Sequence, residues 1–148
     1  WPQQIEQWRY LIEPTAARYN IDPALIAAMV FHESGGNPDA FRAEPWAEAD
    51  SVGLMQVMTF SWRHVTATQL FDPAFNVRYG TRLYSIVLRQ QAGGHHRLAL
   101  AFYNCGAAGV RLDRCGQWGG YRYADAVLQT CAAYGGCVSL PPFIERRR

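Results

Sequence analysis

Glu33 is a carboxyl group in an apolar setting, and its surroundings suggest acid–base chemistry. It lies in the run His32-Glu33-Ser34-Gly35-Gly36, directly after the apolar stretch Ala24 to Phe31. Leu25, Met29 and Glu33 are spaced by four, with Ala28 and His32 beside them. On a helix this spacing puts the carboxyl on or next to the most apolar stripe. Desolvation there, and the partial negative charge of a helix C-terminus, both raise a carboxyl pKa. A carboxylic acid kept protonated near neutral pH is the general acid that cleavage of a glycosidic bond requires. The spacing alone equally allows a carboxylate turned to water from the last helical turn.

Two further segments carry groups suited to holding a sugar. The first is Ser51-Val52-Gly53-Leu54-Met55-Gln56-Val57-Met58, whose glycine begins twenty residues after Glu33. Gly53 permits a close backbone approach, and Gln56 offers a donor and an acceptor to a hydroxyl or acetamido group. Leu54, Met55, Val57 and Met58 read by themselves as core. The second is Ala101-Phe102-Tyr103-Asn104, which sets a phenol and an amide at a helix end before Cys105-Gly106. Capping explains such groups as readily as substrate contact does.

Helices must position these groups. Ile5, Trp8, Leu11, Ile12 and Ala16 keep a helical spacing and predict a first helix over Gln3 to Tyr19, which Pro14 bends or splits. Asp22-Pro23-Ala24 pairs an N-cap with a proline at the first helical position, so a second helix runs from there to Ser34 and stops at Gly35-Gly36. From Asn37 to Asp50 the pattern is loop-like, broken at Asn37-Pro38 and Glu44-Pro45, with room for short strands. Asp72-Pro73 starts another helix with an apolar stripe of Phe75, Tyr79, Leu83, Ile86 and Val87, ended by Gly93-Gly94. His96 to Asn104 and Tyr121 to Tyr134 complete the set. The expected fold is mainly α with little or no β, and residues 1–148 read as a single domain.

Composition narrows the function classes. Of 148 residues, 49% are hydrophobic and 14% aromatic, which argues against disorder. A net charge of +2 is too small to imply a nucleic-acid partner. All fourteen basic residues are arginine, including the closing Arg146-Arg147-Arg148, which reads as a solvated tail. No apolar run is long enough to span a bilayer. The chain opens on the amphipathic Trp1-Pro2-Gln3-Gln4-Ile5 and not on a signal peptide. Cys105, Cys115, Cys131 and Cys137 suggest two short-range bridges, Cys105–Cys115 and Cys131–Cys137, although four cysteines allow three pairings. Such bridges belong outside the reducing cytosol. A zinc site or free thiols are the other readings, but no Cys-x-x-Cys spacing is present.

Taken in order, these blocks resemble the lytic transglycosylase domain of the soluble lytic transglycosylases, which is related to goose-type lysozyme. The resemblance rests on Ile21-Asp22-Pro23-Ala24-Leu25-Ile26-Ala27-Ala28 leading into Glu33-Ser34, on Gly53-Leu54-Met55-Gln56, and on Ala101-Phe102-Tyr103-Asn104. Phe71-Asp72-Pro73-Ala74-Phe75-Asn76-Val77 through Tyr79-Gly80 matches the family's helix after the Gln block. The resemblance implies a lysozyme-like helical domain whose cleft binds the β-1,4-linked N-acetylmuramic acid and N-acetylglucosamine of peptidoglycan. Glu33 would be the single acid/base and would yield a 1,6-anhydromuramic product. Ser34, Ser51, Gly53, Met55, Gln56, Tyr103, Asn104 and Tyr123 would form the substrate site, with Ser34 supporting Glu33 and Tyr123 near the acid. No cofactor or metal is implied. The expected partner is peptidoglycan glycan strands, met outside the cytoplasm by a monomer.

The chain departs from the family pattern in several places. The stretch from Glu33 to Gly53 is longer than in many members, with Trp46-Ala47-Glu48-Ala49-Asp50 filling the extra length. Phe102 stands before Tyr103, Cys105 follows Asn104, and Thr59-Phe60-Ser61-Trp62 replaces a common proline-containing turn. A hydrolytic lysozyme is the nearest rival and would use Glu48 or Asp50 as a second carboxylate. A peptidoglycan-binding module that lost activity is another rival, opposed by the retained Glu33. His32, His64, His95 and His96 show no metal-ligand spacing. Trp1, Trp8, Trp46, Trp62 and Trp118 read mostly as core or core-edge aromatics, with Trp46 and Trp62 best placed to stack on sugar.

Overall fold

The computed structural model describes residues 1–59, 64–111 and 114–137; the expectations for Phe60 to Trp62 and for the arginine tail lie outside the described residues. Its elements are α1 (Gln3–Glu6), α2 (Arg9–Tyr19), α3 (Pro23–Ser34), β1 (Phe41–Glu44), β2 (Ala49–Val52), β3 (Val57–Met58), α4 (Ala67–Leu70), α5 (Pro73–Ile86), α6 (His96–Arg111) and α7 (Gly120–Ala133). The chain is mainly helical, with one small antiparallel sheet in the order β1-β2-β3.

α3 forms the centre of the core. Asp22 Oδ1 accepts the Ala24 N–H at 2.9 Å and Pro23 occupies the first turn, so capping and a preset φ start the helix together. Every residue from Ala24 to Val30 is buried, as expected of a helix apolar on all sides. Gly35 ends it in the left-handed region at φ 63°. α2 and α7 pack against α3, and α6 packs on α7.

The first helix breaks at Gln7-Trp8, not at Pro14. Trp8 leaves helical geometry at φ −96°, ψ 1°, and its indole Nε1 donates to the Gly36 carbonyl at 2.9 Å. That bond ties α2 to the turn following the candidate acid. Pro14 stays inside α2. α5 also differs in detail from its predicted stripe. Its fully buried face is Asn76, Val77, Gly80, Thr81, Tyr84 and Ser85, while Phe75, Tyr79 and Leu83 flank the core half-buried. Asn76 and Thr81 are accommodated on the buried face because partners from Val52 and Met55 lie across the interface.

Both short-range disulfides form. Cys105–Cys115 and Cys131–Cys137 bring their Cα atoms to 5.6 and 5.9 Å. Asp22, Cys131 and Cys137 cluster, but the two sulfurs are bonded to each other and Asp22 Oδ2 accepts the Cys137 N–H at 2.6 Å. Among the described residues, no helix is long and apolar enough to cross a membrane.

Candidate active site

Glu33 occupies the last turn of α3, one helical turn beyond the fully buried Met29. Its side chain is part-buried, and Tyr123 of α7 donates its hydroxyl to Glu33 Oε1 at 2.5 Å. Burial disfavours the carboxylate and pushes the Glu33 pKa up to about 7, against the opposing effects of the Tyr123 hydrogen bond and the Arg42 charge. The Tyr123 phenol is itself held well above its ordinary value, first by burial and then by the neighbouring Glu33. At neutral pH the pair holds a carboxyl poised between its acid and base forms.

The residues around Glu33 fix its position through backbone contacts. Ser34 Oγ donates to the Leu54 carbonyl at 2.9 Å and accepts the Gly36 N–H at 3.2 Å, joining the end of α3 to the Gly53–Gln56 turn. Tyr103 of α6 donates its hydroxyl to the Met55 carbonyl at 2.9 Å, joining the same turn to α6. Gly53 has φ +76°, and a Cβ there would lie 2.6 Å from the Leu70 carbonyl oxygen and against the Asn76 amide. The close approach made by this glycine is therefore to Asn76. Asn76 is completely buried: its Nδ2 donates to the Val52 and Leu70 carbonyls, and its Oδ1 accepts the Met55 N–H, each at 2.8 Å.

The remaining predicted site residues divide by exposure. The Met55 side chain is buried against Gly80 and Thr81. Ser51 is buried and donates to Glu44 Oε1 at 3.1 Å. Gln56, at φ 45°, points its Nε2 back to the Ala40 and Gly53 carbonyls at 3.2 and 3.1 Å, which leaves its Oε1 as the acceptor on offer. Asn104 is exposed at the end of the regular part of α6, just before the kink at Gly106 (φ 71°, ψ 165°), and the Cys105–Cys115 bridge closes that turn.

Two contributors, Asn76 and Arg42, were not singled out by sequence reasoning. Asn76 was legible only as part of a helix block, yet it organises the Gly53–Gln56 turn. His32 meets Thr130 Oγ1 through its Nε2 at 2.8 Å, bonds the Ala126 backbone and sets its ring edge-on to Tyr123 at 6.4 Å. It thereby fastens α3 to α7 beside the Glu33–Tyr123 pair. Arg42 of β1 lies near enough that its charge acts on Glu33. Glu48 and Asp50, the carboxylates a hydrolase would recruit, line a hollow of about 300 Å³ with Ala43, Pro45 and Thr59. Of the tryptophans, Trp46, the one described candidate for stacking on sugar, is 77% exposed, and Trp118 departs from the core reading at 50% exposed. Trp46 lies in the tight turn Pro45–Ala47 between β1 and β2, beyond the reach of the helical core.

Comparison with known proteins shows the family and the fold. Residues 10–125 match the family model described as the transglycosylase SLT domain. A transglycosylase of Enterobacteria phage PRD1 is 35% identical over 77 residues, covering 52% of this chain and 27% of the phage protein. An endo-type membrane-bound lytic murein transglycosylase A of Salmonella enteritidis PT4 is 32% identical over 92 residues, covering 55% of this chain and 43% of that protein. Among solved structures, an inactive glutamate-to-glutamine mutant of the lytic transglycosylase Slt from Pseudomonas aeruginosa superposes with a TM-score of 0.71 at 25% identity. The match covers 86% of this chain and 24% of that one. The 70 kDa soluble lytic transglycosylase of Escherichia coli gives the same TM-score at 24% identity, over the same share of each chain. The chain thus spans less than half the length of each of these relatives.

Proposed function

This chain belongs to the transglycosylase SLT domain family, and on that premise we propose that it cleaves the β-1,4 bond between N-acetylmuramic acid and N-acetylglucosamine in peptidoglycan. Glu33 is the single acid/base. The observation that carries this reading is the Glu33–Tyr123 pair: a part-buried carboxyl with its pKa raised to about 7, held at 2.5 Å by a phenol from a second helix. In the first half-reaction the protonated Glu33 donates to the departing glycosidic oxygen, while the substrate's own N-acetyl group stabilises the oxocarbenium-like C1. In the second, ionised Glu33 takes the proton from the muramic acid 6-hydroxyl. That oxygen closes onto C1 and gives a 1,6-anhydro ring without consuming water.

The other site residues fall into two sets of roles. Tyr123 orients the Glu33 carboxyl and supports its ionised form between the two steps. Ser34, Tyr103 and Asn76 hold the Gly53–Gln56 turn against α3, α5 and α6 through backbone carbonyls and an N–H. Gln56 Oε1 and the exposed Asn104 amide are the groups offered to the sugar and its acetamido substituent. Two disulfides and relatives that act on murein support a place of action outside the cytoplasm.

The test is digestion of purified peptidoglycan by this protein and by its Glu33→Gln variant, with mass analysis of the released muropeptides. Anhydro-ended products from the unaltered protein and none from the variant are expected. Reducing ends would make the protein a hydrolase and direct attention to Glu48 and Asp50; no products from either protein would leave a binding role.

A further inference from the structure

The β1–β2 hairpin buries one carboxylate, Glu44, at the end of a strand whose other three residues are exposed. Glu44 is 7% exposed and accepts three hydrogen bonds: from Arg42 Nε at 2.5 Å, Trp46 Nε1 at 2.7 Å and Ser51 Oγ at 3.1 Å. Burial pushes its pKa up, but the donors from Trp46, Arg42 and Ser51 together outweigh burial and hold it below the ordinary carboxylate range. A carboxylate removed from water in this way is costly unless fully bonded. Glu44 belongs to none of the helical packing that stabilises the core. Its effect is to fix two exposed side chains beside each other, Arg42 (69% exposed) and Trp46 (77% exposed).

Arg42 lies on the wall of the catalytic site, and the shared Glu44 carboxylate holds Trp46 next to it. Arg42 pairs across the strands with Ser51, which leads directly into the Gly53–Gln56 turn. The root of the hairpin is tied to that turn, since the Ala40 carbonyl accepts the Gly53 N–H at 2.8 Å and Gln56 Nε2 at 3.2 Å. The Arg42 charge reaches Glu33. Because Glu44 engages Nε, the two terminal amino groups of the guanidinium stay available as a fork, the geometry that pairs with a carboxylate. The Trp46 indole, anchored by its N–H, presents an apolar face of the kind that stacks on a pyranose ring.

We infer that Arg42 and Trp46, held in place by Glu44, form a binding site for the carboxylate-bearing muramyl unit of the glycan, with Trp46 under the sugar ring and Arg42 on the carboxylate. The inference rests on the reading that the chain acts on peptidoglycan, and it makes the hairpin the element that tells muramyl glycan from neutral glycan. The carboxylate has two sources. In strands stripped of peptide it is the free lactyl group of muramic acid; in peptide-bearing strands the lactyl group is tied up as an amide and the carboxylates belong to the stem peptide. A chain of N-acetylglucosamine alone carries neither.

The experiment measures binding by the catalytically silent Glu33→Gln protein, with and without Arg42→Gln, to three probes: peptide-bearing uncrosslinked strands, amidase-stripped strands and chitohexaose. Losing a charge-assisted contact should weaken muramyl binding about tenfold and leave chitohexaose binding within twofold, which also shows that the variant is folded. The muramyl probe that loses affinity identifies the source of the carboxylate. Arg42→Lys, which keeps the charge without the fork, should recover only part of the loss. Trp46→Ala should weaken all three probes. Equal weakening of all three probes by Arg42→Gln, or no change in any, would overturn the inference while leaving the peptidoglycan reading intact. Failure of the Glu33→Gln protein to bind any glycan would overturn both.

Discussion

Replacing Glu33 by glutamine removes a carboxyl whose ionisation the fold resists, so the variant should be more stable than the parent at high pH and no different at low pH. The carboxyl ionises near its ordinary value of 4.5 in the unfolded chain and near 7 in the folded one. Between those values the native state binds more protons than the unfolded state, so stability falls as pH rises through the interval and the loss is complete above it. The full displacement is worth about 3 kcal/mol. Part of the carboxyl is open to solvent, and screening trims the expectation to about 2 kcal/mol. Glutamine keeps an oxygen acceptor for the Tyr123 hydroxyl, so the substitution isolates the charge. Urea unfolding of both proteins at pH 4 and pH 8, disulfides intact, provides the assay. With a slope of about 2 kcal/mol per molar urea, the variant's midpoint should rise by about 1 M at pH 8 and coincide with the parent's at pH 4. A midpoint difference that is the same at both pH values, or absent at pH 8, would show that Glu33 is a solvated carboxylate and would remove the physical basis for its role as an acid.

Tyr123→Phe deletes the hydrogen bond that favours ionised Glu33, so the Glu33 pKa should move further above about 7. The high-pH fall of kcat/KM should then shift to higher pH as the maximal rate drops, which a pH–rate profile on soluble glycan strands reads directly. Asn76→Leu leaves the Met55 N–H and the Val52 and Leu70 carbonyls without their buried partner and should cost about 3 to 5 kcal/mol in urea unfolding. Paired serine substitutions at Cys105 and Cys115, ten residues apart, should lower stability by about 2 to 3 kcal/mol. Because this bridge closes the turn after Asn104, KM on glycan strands should also rise.

What was legible in the sequence had local causes. Asp22-Pro23 and Gly35-Gly36 mark the ends of α3 because capping and positive φ act within a few residues, and the four-residue spacing from Leu25 through Met29 then leads to Glu33. The disulfide pairs were legible because short loops favour near neighbours. The α5 stripe misled because its buried face holds polar side chains, among them Asn76 and Thr81, which find partners in distant segments; only the assembled fold supplies the Met55 N–H and the Val52 carbonyl that make burying Asn76 tolerable. Pro14 looked like the natural break in the first helix, but Trp8 finds the Gly36 carbonyl and the break falls there. Arg42 and Glu44 stood in a stretch without periodicity, where hairpin register alone decides which side chains meet.

Digestion of purified peptidoglycan in heavy-oxygen water, followed by mass analysis of the released ends, separates ring closure by the 6-hydroxyl from attack by water. If Glu33 delivers its proton to the leaving oxygen and then recovers one from the 6-hydroxyl, the products end in 1,6-anhydromuramic acid, carry no label and vanish in Glu33→Gln. Labelled reducing ends would mean that water attacks C1, and would contradict the single-carboxyl mechanism.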